Sequence, residues 1–248
     1  MRSCPATRPD ESLDTIFQGK LPVLQKKKGY RFSLDAILLA RFPEIHGREK
    51  ICDLGTGNGV IPLILATLYP WVQATGLEIQ RSMVRRASRN VELNQLEDRV
   101  TVVQGDVRSI KKLFLPGSFT VVICNPPYRR SKSGRINPDQ EKRIARHEIK
   151  GDLTDFLRAG SYLLTRRGKM TLVYPVGRTL DLLQTMRQEG VEPKRVRLVH
   201  SFKGAKATLM LAEGIKGARD ELEVMPPLVV YRHAGKYTLE MKTILAGA

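Results

Sequence analysis

The stretch Lys50-Ile51-Cys52-Asp53-Leu54-Gly55-Thr56-Gly57-Asn58-Gly59, followed by Val60-Ile61-Pro62-Leu63-Ile64-Leu65-Ala66, reads as a short apolar strand, a glycine-rich turn and an apolar helix. Glycine lets the backbone turn tightly and lets a ligand approach where a Cβ would collide. The spacing is GxGxG rather than the GxGxxG of dinucleotide sites, so the turn alone leaves its ligand open. The next apolar run, Val72 to Leu77, ends at Glu78, nineteen residues beyond Gly59. An acid at the tip of a second strand is where a nucleotide-type ligand presents its ribose hydroxyls. A third run, Arg99 to Gln104, leads into Gly105-Asp106, whose carboxylate is suited to accept from an adenine amine.

A fourth run, Phe119 to Cys124, empties into Asn125-Pro126-Pro127-Tyr128. Neither proline can donate a backbone hydrogen bond, and each fixes φ and biases its predecessor towards extended geometry. The result is a stiff rim with one amide side chain, free carbonyl acceptors and one aromatic ring. Those parts suit a planar nitrogen such as the exocyclic amine of a base. Asp53, Glu78, Asp106 and Asn125 thus follow four successive strands, and in an open parallel sheet ligands bind outside the carboxyl ends of the strands. A reading in which all four merely cap helices or turns needs the same coincidence four times.

The order DLGTGNG, LEI, GDV, NPPY resembles the Rossmann-like class I methyltransferases that use S-adenosylmethionine and methylate a planar amine. Phe32 to Leu39, Ile144 to Glu148, Glu192 to Arg195 and Met225 to Leu228 are similar to a bacterial group that includes the valine-tRNA adenine-N(6) methyltransferases. The likeness runs from about Leu13 to Leu245. It implies an α/β fold: a mostly parallel seven-stranded sheet with an antiparallel terminal hairpin and helices on both faces. It also implies S-adenosylmethionine as cofactor, with Asp53, Gly55, Thr56, Gly57 and Gly59 on its methionine side. Glu78, followed by Ile79, then belongs to the ribose, and Asp106, followed by Val107, to the adenine. Asn125 completes the cofactor set and, with Pro126, Pro127 and Tyr128, forms the catalytic turn. In this group the segment around Ser33 and Asp35 lies beside the cofactor, but a capped helix covering the sheet is the preferred reading of those residues.

Methyl transfer from a sulfonium needs the amine placed behind the methyl carbon and water excluded, with no covalent enzyme intermediate. The Asn125 side chain and the Pro126 carbonyl are suited to hold the two amine hydrogens, and the Tyr128 ring to stack on the base.

Composition points to a polyanion. The chain has 42 Lys and Arg against 25 acids, a net charge of +17 in 248 residues. Seven of those cations fall between Arg129 and Arg146, directly after the catalytic turn, and Arg129, Arg130, Lys132, Arg135, Arg143 and Arg146 are the expected RNA contacts. The resemblance makes the expected polyanion RNA, with tRNA first. Residues 1–48 read as an N-terminal segment whose first twenty residues are loosely ordered. A basic loop over 25–31 and a helix capped by Ser33 follow, and 49–248 read as the methyltransferase domain, functionally a single unit. Arg81, Arg85, Arg86 and Arg89 read as the solvated face of a helix whose other face is Met83, Ala87 and Val91. Arg195 to Phe202 and Thr208 to Ala212 stand too close for a helical crossover, so they read as an antiparallel pair.

Met1 to Asp14 is polar, and the longest apolar run, Val60 to Leu68, is too short to cross a bilayer, so no membrane contact and a cytoplasmic location are expected. Cys4, Cys52 and Cys124 have no CxxC spacing; Cys52 and Cys124 read as small buried hydrophobes, and no metal is expected. The oligomeric state is open. Alternatives are a guanine exocyclic amine in ribosomal RNA, a glutamine amide in a protein, or an RNA-binding protein that kept the fold without the reaction.

Overall fold

The computed structural model describes residues 7–28, 31–126 and 151–247. In chain order its strands are β1 (Glu11–Ile16), β2 (Leu21–Lys26), β3 (Lys50–Leu54), β4 (Gln73–Glu78), β5 (Val100–Gln104), β6 (Phe119–Cys124), β7 (Leu164–Pro175), β8 (Val191–Phe202), β9 (Ala207–Lys216), β10 (Glu223–Val224), β11 (Leu228–His233) and β12 (Lys236–Tyr237). The described α-helices are α1 (Leu34–Arg41), α2 (Val60–Leu68), α3 (Arg81–Leu93), α4 (Leu153–Leu163), α5 (Thr179–Gln188) and α6 (Leu239–Ala246).

Ten strands form one sheet in the order β12-β11-β8-β9-β7-β6-β3-β4-β5, with β10 beside β8. Strands β5, β4, β3, β6 and β7 are parallel, and β9 runs antiparallel between β7 and β8. The β8–β9 hairpin is therefore the expected antiparallel pair. The seven expected strands are present; β10, β11 and β12 extend the sheet beyond β8. Strands β10 and β12 are two residues each, too short to carry a period. Strand β11 pairs with β8 in parallel, a relation that no turn between them encodes.

Helix α2 is apolar all round, and Val60 to Ala66 are all buried beneath the sheet, as an all-apolar helix must be. Pro62 is tolerated because it stands in the first turn, where a backbone N–H has no intrahelical acceptor. One face of the sheet packs on α1, α2 and α6 through Leu39, Leu63, Ile64 and Met241. The other packs on α4 and α5 through Phe156, Leu157, Leu182 and Met186. Cys52 and Cys124 are buried in that second core as free thiols, and burial pushes the pKa of both well up. That is the behaviour of inert hydrophobes.

Residues 11–26 are not loosely ordered: β1 and β2 form an antiparallel hairpin closed by Phe17 and Gln18 at φ 52° and 55° and by Gly19 at 93°. Glu11 on β1 is buried and accepts from Arg89 at 2.7 and 2.8 Å and from Arg86 at 3.4 Å. Arg86 is itself buried, so half of the arginine face expected in solvent on α3 is turned inward onto the hairpin. Breaking such a buried pair by removing one partner costs about 3–5 kcal/mol. Among the described residues no helix is long and apolar enough to cross a membrane.

Candidate active site

Strands β4 and β5 follow β3 on one side, and the chain then returns to place β6 on the other. Ligands of open α/β sheets bind at such a reversal, outside the carboxyl ends of the strands. Register aligns the ends. Leu54 pairs with both Leu77 and Cys124, and Glu78 pairs with Gln104. Gly55, Glu78 and Asn125 therefore share one level across β3, β4 and β6, with Asp106 two residues past Gln104. At ~4.8 Å per strand, β6 and β5 stand about 14 Å apart. That length accommodates a nucleoside carrying an amino-acid arm.

The glycine turn is held from both sides. Gly55, Gly57 and Gly59 all have positive φ, at 78°, 57° and 79°. Gly76, on the neighbouring strand, must lack a Cβ because one there would lie 2.7 Å from Thr56 Cγ2. Phe156, from the first turn of α4, lies over Gly55, 3.4 Å from where a Cβ would stand. Behind the turn, Asn90 of α3 donates to the Asn58 carbonyl at 2.9 Å and to the Leu24 carbonyl at 3.2 Å. Its amide oxygen accepts from the Leu24 N–H at 2.7 Å. The Asn58 side-chain oxygen accepts from Arg86 at 3.3 Å. A buried chain of polar groups thus runs from the N-terminal hairpin to the glycine turn.

Asp53 is the anomalous group of the site. It is 1% exposed, and neither carboxylate oxygen has a hydrogen-bond partner. Burial drives its pKa up to about 7, and the charge of Glu78 adds to the rise. The adjacent Thr56 hydroxyl pulls the other way, yet does not reach hydrogen-bonding geometry and is itself unpaired. A buried carboxylate without donors is costly unless a cation comes to it. An ammonium group arriving at the end of β3 meets that need.

Glu78 is buried and differently employed. Its carboxylate accepts from the Gly57 N–H at 3.0 Å and the Gln80 N–H at 2.8 Å, tying the glycine turn to the end of β4. Burial raises its pKa, and these backbone donors oppose the rise. The Ile79 N–H and the Gln80 side chain also bear on this carboxylate and oppose the rise. Ile79, next to it, is half-buried.

Asp106 caps the 3-10 turn Val107–Lys112 by accepting from the Arg108 N–H at 2.9 Å, and it is also paired with the Arg108 guanidinium at 2.6 Å. Val107 is buried beside Phe156. Asn125 is half-buried and Pro126 buried at the end of β6. Pro127, Tyr128 and the basic positions Arg129, Arg130, Lys132, Arg135, Arg143 and Arg146 lie outside the described residues. Ser33 occupies the N-cap of α1 in extended geometry, but its side chain makes no capping hydrogen bond.

The sequence reading missed Asn58, Asn90, Arg86 and Glu11 as supports of the turn and Phe156 as its cover. Asn90 recurs at helical spacing with Met83 and Val91, so a polar residue on an apolar face was the available signal.

Residues 34–189 match the methyltransferase small domain. The chain belongs to that family. Two relatives carry the name tRNA1(Val) (adenine(37)-N6)-methyltransferase. That of Tolumonas auensis is 29% identical over 75% of this chain and 77% of its own. That of Bacteroides thetaiotaomicron is 30% identical over 75% of this chain and 84% of its own. Among solved structures, a chain of Agrobacterium tumefaciens described as a predicted O-methyltransferase superposes with a TM-score of 0.71 at 24% identity, covering 86% of this chain and 96% of its own. The fold of the methyltransferase small domain family is thus reached by geometry as well as by sequence.

Proposed function

We propose that this chain transfers a methyl group from S-adenosylmethionine to the exocyclic 6-amino group of an adenine in RNA, with tRNA as the substrate. The observation that carries the reading is the juxtaposition, at the sheet's switch point, of a buried carboxylate lacking any donor (Asp53) and an amide-bearing strand end (Asn125) on the adjacent strand. The first fits the cationic amino-acid arm of the cofactor. The second fits a planar amine. The names of the relatives, and the net charge of +17, support tRNA over a protein substrate.

The residues divide the work. Asp53 receives the ammonium and becomes ionised, the turn backbone at Gly55 to Gly59 lies against the arm, and Glu78 takes the ribose hydroxyls. Asp106 and Val107 are assigned to the adenine. When bound, the cofactor supplies an electrophilic methyl on a sulfonium. An aromatic amine is a weak nucleophile because its lone pair is delocalised into the ring. Asn125 and the Pro126 carbonyl accept its two hydrogens and turn the lone pair out of conjugation, and the Tyr128 ring stacks on the base. A loop adenine is reached at less cost than a paired one, which must first be flipped. A tRNA substrate places the reaction in the cytoplasm.

The test is Asn125→Ala. Cofactor affinity, measured by calorimetry, stays within about threefold of the unaltered chain, while turnover on tRNA falls by 100-fold or more, the usual scale for a preorganised hydrogen-bonding group. Near-normal turnover in this variant overturns the assignment.

A further inference from the structure

We infer that the RNA backbone rests on a basic ledge formed by the projecting ends of β8, β9, β11 and β12, on the side of Asn125 away from the cofactor; this rests on the RNA-methylating reading above. Register places the ledge. Cys124 is level with Leu172, Leu172 with Ala212, and Ala212 with Val196. From Val196, β8 runs six residues on to Phe202, about 20 Å past the level at which β3 and β6 stop. Sideways, β8 lies three strand gaps from β6, about 14 Å. The cofactor residues occupy β3, β4 and β5 on the opposite side of β6. Among the described residues, an incoming nucleic acid whose base enters at Asn125 therefore has the ledge as its flank away from the cofactor.

The chemistry of the ledge suits a polyanion. No Asp or Glu occurs from Ser201 to Ala212 or from Val224 to Leu239. Lys203 and Lys206, at the β8–β9 tip, and Arg232 and Lys236, at the β11–β12 tip, are all exposed. None of the four takes part in an ion pair among the described residues, whereas Arg195, Arg197 and Arg178, lower on the same strands and on the turn after β7, are each matched by a carboxylate. Cations left unmatched together, beyond a row of matched ones, are available to phosphates.

The ledge is also stiff. Tyr231 stacks on Tyr237 at 5.0 Å and meets the Phe202 ring, tilted by 37°, at 5.7 Å, holding the two hairpins side by side, and His200 closes the β8–β9 tip on the Ala205 carbonyl at 2.7 Å. Phe202, at the same β8–β9 end, is 39% exposed. Basic side chains set around an exposed ring form a surface that tracks a nucleic-acid backbone. The ledge lies outside residues 34–189, the part matching the family.

The experiment compares the unaltered chain with a variant carrying Lys203→Ala, Lys206→Ala, Arg232→Ala and Lys236→Ala, and with a second carrying Lys203→Arg, Lys206→Arg and Lys236→Arg. Binding and methylation of unmodified total tRNA are followed from 50 to 200 mM salt, beside S-adenosylmethionine affinity. The alanine variant is expected to bind tRNA at least tenfold more weakly, with a salt slope smaller by about 3, because each lost phosphate contact removes ~0.7–0.9 of slope. Its cofactor affinity is unchanged, and the arginine variant keeps tRNA binding. If the unaltered chain methylates tRNA and the alanine variant does so with the same KM and salt slope, the ledge is refuted while the enzymatic reading stands. If the unaltered chain binds no RNA at all, both fall together.

Discussion

Replacing Asp53 with asparagine makes the cofactor-free protein more stable at pH 8 and less able to bind its cofactor. The carboxyl has a pKa near 7 in the folded chain against 3.8 as its ordinary value. Between those values the folded state binds more protons than the unfolded one, so stability falls as pH rises from about 4 to about 7. The penalty is fully present above pH 7. Three pH units at 1.36 kcal/mol each amount to about 4 kcal/mol. An asparagine amide buried in the same place, lacking partners, costs about 1–3 kcal/mol. The net gain for Asp53→Asn at pH 8 is therefore about 1–3 kcal/mol, a rise in Tm of several degrees at roughly 2–4 °C per kcal/mol for a chain of this size. Urea unfolding of both proteins at pH 5 and pH 8, without cofactor, reads the effect directly. The variant gains at pH 8 and loses the gain at pH 5. Cofactor at a hundred times its Kd stabilises the unaltered chain by about 2.7 kcal/mol and leaves the variant unmoved. Identical pH dependence in the two proteins refutes the view of Asp53 as a carboxylate waiting for a cation.

Three further outcomes follow from the same geometry. S-adenosylmethionine affinity of the unaltered chain falls by up to tenfold per pH unit below about 7, since Asp53 must release a proton to pair with the ammonium; a flat calorimetric profile from pH 5 to 8 contradicts this. Glu78→Ala weakens cofactor binding at least tenfold and speeds amide exchange at Gly57, whose N–H loses its 3.0 Å acceptor. Asn90→Ala leaves the Leu24 backbone and the Asn58 carbonyl without side-chain partners and destabilises the protein by about 3 kcal/mol in urea; Asn90→Asp does not rescue it, because an ionised carboxylate cannot donate to Asn58 or to Leu24.

Asp53, Glu78, Asp106 and Asn125 were legible because each ends an apolar run, and the parallel sheet converts that one-dimensional position into a shared edge. The antiparallel order of β8 and β9 was equally legible, from a connection too short for any crossover. What escaped the sequence reading depends on distant partners. Arg86 and Arg89 have the look of a solvated face until Glu11, 75 and 78 residues earlier, is folded back onto them. The β1–β2 hairpin did carry a signal, two short runs around Gly19, but the polar alternation of Glu11 to Ile16 resembles a loose segment until Asn90 and Glu11 are seen to anchor it. Strand β10 owes its existence to the β8 it pairs with, and two residues have no periodicity to read.

The most direct measurement is transfer of tritiated methyl from S-adenosylmethionine to unmodified tRNA, ribosomal RNA and a protein extract in parallel, followed by digestion of the labelled pool. Label in tRNA recovered as N6-methyladenosine is the predicted result. Label confined to ribosomal guanine or to protein, or none at all from a chain that binds the cofactor, contradicts the account.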